Sequence, residues 1–174
     1  MSPEERPGRD EYADFYHTYI SKVPDGSIVE TLRRGIGDTV EMLGPVGPEA
    51  AAYRYEPGKW SLKEVLGHLI DTERVFAFRA MSFARGETQA FPGMEQDDYV
   101  ATGNFDARDL PGLLRELKIG RDSTVAMLDG FPPEAWARRG TASGCEFSVR
   151  ALAWIMAGHE IHHRQVLLER YLTR

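Results

Sequence analysis

The chain is poor in cysteine: Cys145 is the only one in 174 residues. No intrachain disulfide can form, and a metal site built from thiolates alone is excluded. The sequence also lacks any apolar run near the ~20 residues of a membrane-spanning helix. It lacks a basic excess, since 21 Lys and Arg stand against 27 Asp and Glu for a net charge of −6. Nucleic-acid binders neutralise phosphates with surplus cations, so no nucleic-acid partner is expected, and no membrane partner either. No convincing strand pair stands out, because Tyr53-Arg54-Tyr55 alternates but is too short to stand alone. The first eight residues are charged and Pro/Gly-rich, without the apolar stretch of a signal peptide. They read as a flexible arm over residues 1–9, followed by one domain at 10–174. The expected compartment is the cytoplasm.

Helical periodicity is what the sequence does have. With 42% hydrophobic residues, a chain of this length can bury a full core. Apolar residues recur at three-four spacing in four long segments. The first, near Ser27–Leu43, opens on a Ser27/Glu30 capping box and carries Ile28, Leu32, Ile36, Val40 and Leu43. The second, near Ser61–Arg85, opens on Ser61/Glu64 and carries Leu62, Leu66, Leu69, Phe76, Ala80 and Phe83. The third runs near Asp106–Leu128 and is weakened in its middle by Gly120. The fourth runs near Ser148–Leu172. A short aromatic-rich helix over Asp10–Ile20 precedes them, and Pro132–Trp136 reads as another short turn of helix. Four amphipathic helices in one domain make an all-α four-helix bundle. Its long connections can cross the bundle, so simple up-down order is not assured. Phe78, Trp154 and Ile155 fall outside the core stripes, and on the surface they would suit a homodimer face.

The fourth helix carries the sharpest chemical signal. Counting from Met156 to Val166, core positions fall at 159 and 163, and both are histidine. His159 and His163 lie one turn apart on one face, the spacing of a two-imidazole metal clamp. His162 lies about 100° round the helix from His163, off the stripe. Two buried structural histidines would be the plain alternative, but each neutral ring then has a donor and an acceptor to satisfy. His68, beside Gly67 in the second helix, is the natural third ligand. His17, in the aromatic segment, reads as a surface or packing residue. Glu73 interrupts an apolar stripe, and Glu73, Asp71 and Glu160 are candidate acceptors for ligand N–H groups. His159-Glu160-Ile161-His162-His163 also fits the H-E-x-x-H pattern of zinc proteases. That reading fails on the third ligand, because only eleven residues follow His163 and none is histidine. Nor is a sheet expected that could hold an extended peptide. Cys145 is a poor rival nucleophile and reads as a loop residue.

Two stretches, 55–73 (YEPGKWSLKEVLGHLIDTE) and 149–163 (VRALAWIMAGHEIHH), resemble the DinB-like (DinB/YfiT-like) superfamily of small helical metal-binding proteins. The order of elements agrees from about Asp10 onward. The resemblance implies a four-helix bundle of unusual helix order with a divalent metal, nickel or zinc, inside one end. His68, His159 and His163 match the three ligand positions. It further implies homodimers and a metal-dependent thiol S-transferase activity on a small-molecule substrate, using a low-molecular-weight thiol such as bacillithiol, mycothiol or glutathione. A non-catalytic, stress-associated metal-binding protein and a small-molecule metallohydrolase are the alternatives, since such a fold fixes a site better than a reaction.

Overall fold

The computed structural model describes residues 5–173. Among them are seven α-helices: α1 (His17–Ile20), α2 (Ile28–Leu43), α3 (Pro48–Ala51), α4 (Leu62–Ala84), α5 (Gln96–Thr102), α6 (Leu110–Asp129) and α7 (Val149–Leu167). The long helices α2, α4, α6 and α7 form the bundle. α2 packs on α6 and α7, and α4 packs on the same two. α2 is therefore diagonal to α4, and α6 is diagonal to α7. Two of the three connections cross the bundle, whereas in an up-down bundle each helix neighbours its successor. No helix among the described residues is long and apolar enough to cross a membrane.

Local chemistry sets the helix ends. At α4 the capping box closes both ways: Glu64 N–H donates to Ser61 Oγ at 3.1 Å, and Ser61 N–H to Glu64 Oε2 at 2.8 Å. At α2 only half of it forms. Ser27 Oγ accepts from Glu30 N–H at 3.4 Å, but the Glu30 carboxylate turns to Arg33. The third long helix starts at Leu110, not Asp106. Asp109 caps it by accepting from Gly112 N–H at 2.6 Å, and Pro111 takes a first-turn position where its missing N–H is not needed. Asp106 lies in a 3-10 turn and accepts from Ser61 Oγ at 2.5 Å. Ser148 caps α7, whose last turn widens into a π-turn at Leu168–Leu172.

The sequence reading missed a small hairpin. Strands β1 (Arg139–Ala142) and β2 (Cys145–Ser148) pair antiparallel around Ser143 and Gly144, both at positive φ (53° and 74°). Two left-handed residues make the turn that suits strand twist, and glycine adopts that conformation freely. Each strand has only four residues, too few to show periodicity. Phe91 N–H donates to Thr141 O at 2.9 Å and Ser143 N–H to Phe91 O at 3.0 Å, so the loop after α4 is tied to the hairpin. The sheet stops at two strands, and the all-α class stands.

Trp154 and Ile155 are not on the surface; both are 0% exposed. The expected helix over Asp10–Ile20 is instead two 3-10 turns followed by α1, and this segment packs along α7. The Arg6 guanidinium lies 4.8 Å over the Trp154 ring and donates to Ile20 O and Val23 O at 2.6 and 2.7 Å. Residues 1–4 of the expected arm lie outside the described residues. Gly158 makes the docking of α1 possible, because a Cβ there would lie 2.2 Å from the Tyr19 carbonyl oxygen. Of the three expected surface residues only Phe78 is exposed.

Gly158→Ala should therefore push α1 off α7 and lower the urea midpoint by about 2 kcal/mol of stability. Gly37, on the exposed side of α2, is the control, because a Cβ there would meet nothing within 4 Å. Gly37→Ala should leave stability unchanged or raise it by up to about 1 kcal/mol.

Candidate metal centre

α4 and α7 pack directly against each other, and the histidines lie on their shared face. Gly67 beside His68 admits no second helix. It admits the Phe105 ring, whose carbons would lie 2.2 Å from a Cβ at 67. His68 and His159 are buried, and His163 is half-buried. His68 Nε2 and His159 Nε2 are 3.0 Å apart, and His159 Nε2 and His163 Nε2 are 3.1 Å apart. The structure thus brings together all three residues singled out in the sequence. His162 stays outside the group, its ring against Tyr19 at 5.4 Å, and His17 is exposed and bonded to the Tyr12 hydroxyl.

Such convergence is poorly explained by hydrogen bonding alone. His159 Nε2 faces two other ring nitrogens, and one proton cannot serve both. His163 Nδ1 is buried and has no partner among the described residues. Burial holds His68 down to about pKa 4 and His163 to about 3, and holds His159 well below its ordinary value, with repulsion among the rings adding to it. All three are neutral at pH 7, the state a metal ligand needs. Two nitrogens 2.1 Å from one ion would be about 3.0 Å apart at a right angle and about 3.4 Å apart at a tetrahedral angle, so these spacings put the rings within reach of one ion. The donor set therefore fits a divalent ion.

Behind the histidines lies a buried charge network that ties together all four bundle helices. Arg121 of α6 donates from Nε and Nη2 to the two carboxylate oxygens of Glu73 on α4, each at 2.8 Å. Its Nη1 pairs with Glu160 on α7 and donates to Leu32 O on α2 at 3.2 Å. Thr39 Oγ1 of α2 donates to Glu160 Oε1 at 2.7 Å. Burial alone would raise the Glu73 carboxyl, but the Arg121 charge and hydrogen bonds bring it below its usual value. Glu73 and Glu160 are thus committed to Arg121 and accept from no ring nitrogen. Asp71 lies 3.6 Å from Arg74 and likewise touches no histidine. The hydroxyl beside His68 Nδ1 is Thr72 Oγ1, at 3.4 Å, four residues on and one turn along the same face. Arg121 went unread in the sequence; the signal that could have found it is that Leu117, Arg121, Thr124 and Leu128 hold core spacing on α6.

A cleft of about 160 Å³ reaches the histidines from the surface. His68, His159, Thr72, Tyr16, Tyr19 and Arg79 are among the residues that line it. No carboxylate lines it among the described residues. Burial raises the Tyr16 and Tyr19 hydroxyls above their ordinary pKa, so both are protonated donors at neutral pH.

Residues 31–167 match the DinB superfamily, and the chain belongs to it. The fold is shared with YfiT from Bacillus subtilis, described as a probable metal-dependent hydrolase with an unusual four-helix bundle topology. That similarity has a TM-score of 0.71 at 17% identity and covers 95% of this chain and 91% of YfiT. A mycothiol-dependent maleylpyruvate isomerase superposes with a TM-score of 0.65 at 16% identity, over 87% of this chain and 63% of the isomerase. At these identities the likeness establishes the fold. No curated protein sequence matches the chain.

Two outcomes follow. His163→Ala should lose most bound metal by elemental analysis after dialysis, while His162→Ala retains it. The metal-free protein should also weaken in acid. An unfolded histidine takes up a proton near 6.5, whereas folded His68 and His163 take theirs only near 4 and 3. Below 6.5 the unfolded chain binds more protons, so this stabilisation is complete above 6.5 and is lost as pH falls toward the folded values. Urea midpoints of metal-free protein should fall between about pH 7 and pH 5, and less steeply in His163→Ala.

Proposed function

We propose that His68, His159 and His163 hold a divalent ion, nickel or zinc, and that the protein is a metal-dependent thiol S-transferase acting on a small electrophile. The observation that carries this reading is three convergent neutral imidazoles, two of which, His68 and His159, line a cleft open to small molecules. A divalent ion held by these neutral imidazoles would keep its full charge and would supply the acidification that makes a thiol reactive at neutral pH. The chain's residues supply the rest. Thr72 stands where it can fix the tautomer and orientation of the His68 ring. Phe15, Phe76 and Met94 give the cleft apolar walls that limit water. Tyr16 and Tyr19 are placed to donate a hydrogen bond to negative charge developing on the electrophile.

A hydrolytic reading has the likeness to YfiT in its favour, but among the described residues no carboxylate lines the cleft to act as general base. A purely structural site would be closed off by protein ligands, and here the cleft reaches His68 and His159. A reducing, cytoplasmic setting suits a thiol reaction and a single free cysteine. Homodimerisation would use exposed Phe78, and light scattering near twice 19.6 kDa would support it.

Metal analysis followed by assays of bacillithiol, mycothiol and glutathione against an alkylating fluorophore tests the function. Conjugation with one of them should fall by more than about a hundredfold in His159→Ala and after chelation, and Thr72→Val should weaken metal binding about tenfold. Hydrolysis of esters or amides by the loaded protein without thiol conjugation would overturn the transferase reading.

A further inference from the structure

Arg79 is a buried cation without an anion. It is 4% exposed, and no carboxylate lies within ion-pair distance of it among the described residues. Its Nη2 donates to Pro92 O at 2.8 Å and to Ser143 Oγ at 3.2 Å, and its guanidinium lies 5.6 Å from the Phe76 ring centroid. Nε–H and both Nη1–H donors make no hydrogen bond among the described residues, yet they are not sealed in, because the side chain lines the cleft. The other two buried arginines show what the fold does with such a charge. Arg121 has Glu73 and Glu160, and Arg150 has Glu11. An arginine taken from water without a counter-ion is costly, and the tyrosines near Arg79 are neutral at pH 7. Burial accordingly pulls its pKa down, with no carboxylate to oppose it.

Position relates this charge to the histidines. Arg79 follows His68 by eleven residues on α4, three turns, so both project from one face about 16 Å apart along the axis. The Arg79 side chain leans back toward the helix N-terminus and shortens that gap. Both line the same cleft.

We propose that Arg79 binds the carboxylate of an elongated anionic substrate, holding its other end toward the three histidines. The anion supplies the missing charge and accepts a charge-assisted hydrogen bond from Nε–H. The existing bonds from Nη2 fix the guanidinium plane between the 91–93 loop and the hairpin turn, so the donors are already oriented. This rests on the proposed function only for which end of the substrate reacts; anion binding by Arg79 stands apart from it.

The test follows the Arg79 Nε–H resonance in the zinc-loaded protein and in protein without added zinc, assigned by its absence in Arg79→Lys. Hexanoate, hexanol and hexyl phosphate are titrated in parallel. Hexanoate should shift the resonance saturably and hexanol should not. Arg79→Met, monitored at the backbone amides of Thr72 and Gln96, should weaken hexanoate binding about tenfold to a hundredfold. Ser143→Ala, which removes one clamp but keeps the cation, should retain it, so loss of binding cannot be laid to a loosened loop. No saturable shift with hexanoate, or equal affinity in Arg79→Met, overturns the proposal; a shift with hexyl phosphate alone overturns the carboxylate assignment. A last arm separates the two readings. Zinc-loaded protein should bind 6-mercaptohexanoate more tightly than hexanoate, and equal binding there counts against the thiol site while leaving Arg79's role supported.

Discussion

The Arg121 side chain, carried by one bundle helix, reaches the other three. Placing a guanidinium and two carboxylates in the interior costs several kcal/mol per ion in lost hydration, and only close, complete pairing offsets it. Here every ion has a close partner. Glu73 is held by two parallel hydrogen bonds, Glu160 by Arg121 and Thr39, and a further guanidinium N–H donates to Leu32 O. Such a network tolerates little rotation of any helix, because turning one strands a buried charge. Gly35 is part of the arrangement, since a Cβ there would lie 3.0 Å from Glu160 Oε2.

The site inherits its geometry from this lock. Glu160 and His159 are adjacent on α7 and point about 100° apart. With Glu160 fixed against α2 and α6, His159 must face α4, and His163 follows it one turn on. Glu73, five residues beyond His68, anchors α4 in the same way. A protonated His159 there meets a dry wall, its neighbours' rings and the Arg121 charge, so the ring stays neutral.

Much of this was legible in the sequence because burial imposes a period. The helix phase from Met156 to Val166 separated His159 and His163 from His162, and Ser61 and Ser148 marked helix starts. What escaped had weaker or non-local causes. The hairpin is two four-residue strands on a Ser-Gly turn, too short for alternation to show. Trp154 and Ile155 look like surface residues on a two-faced helix, but the segment through α1 packs along α7 and Arg6 lies over the Trp154 ring. Arg121 shared core spacing with Leu117 and Leu128, but its partners come from helices 48 and 39 residues away in the chain. Arg79 gave no sign at all, because a missing counter-ion is visible only once the neighbours are known.

Three imidazoles, and no other protein donors, are proposed to hold one ion. X-ray absorption at the zinc edge of zinc-loaded protein tests this most directly. The expected spectrum shows three histidine nitrogens at about 2.0–2.1 Å, outer-shell scattering from three rings, and the remaining positions filled by light atoms from solvent. A fit with fewer than three imidazoles, or with sulfur at about 2.3 Å from Cys145, would contradict it.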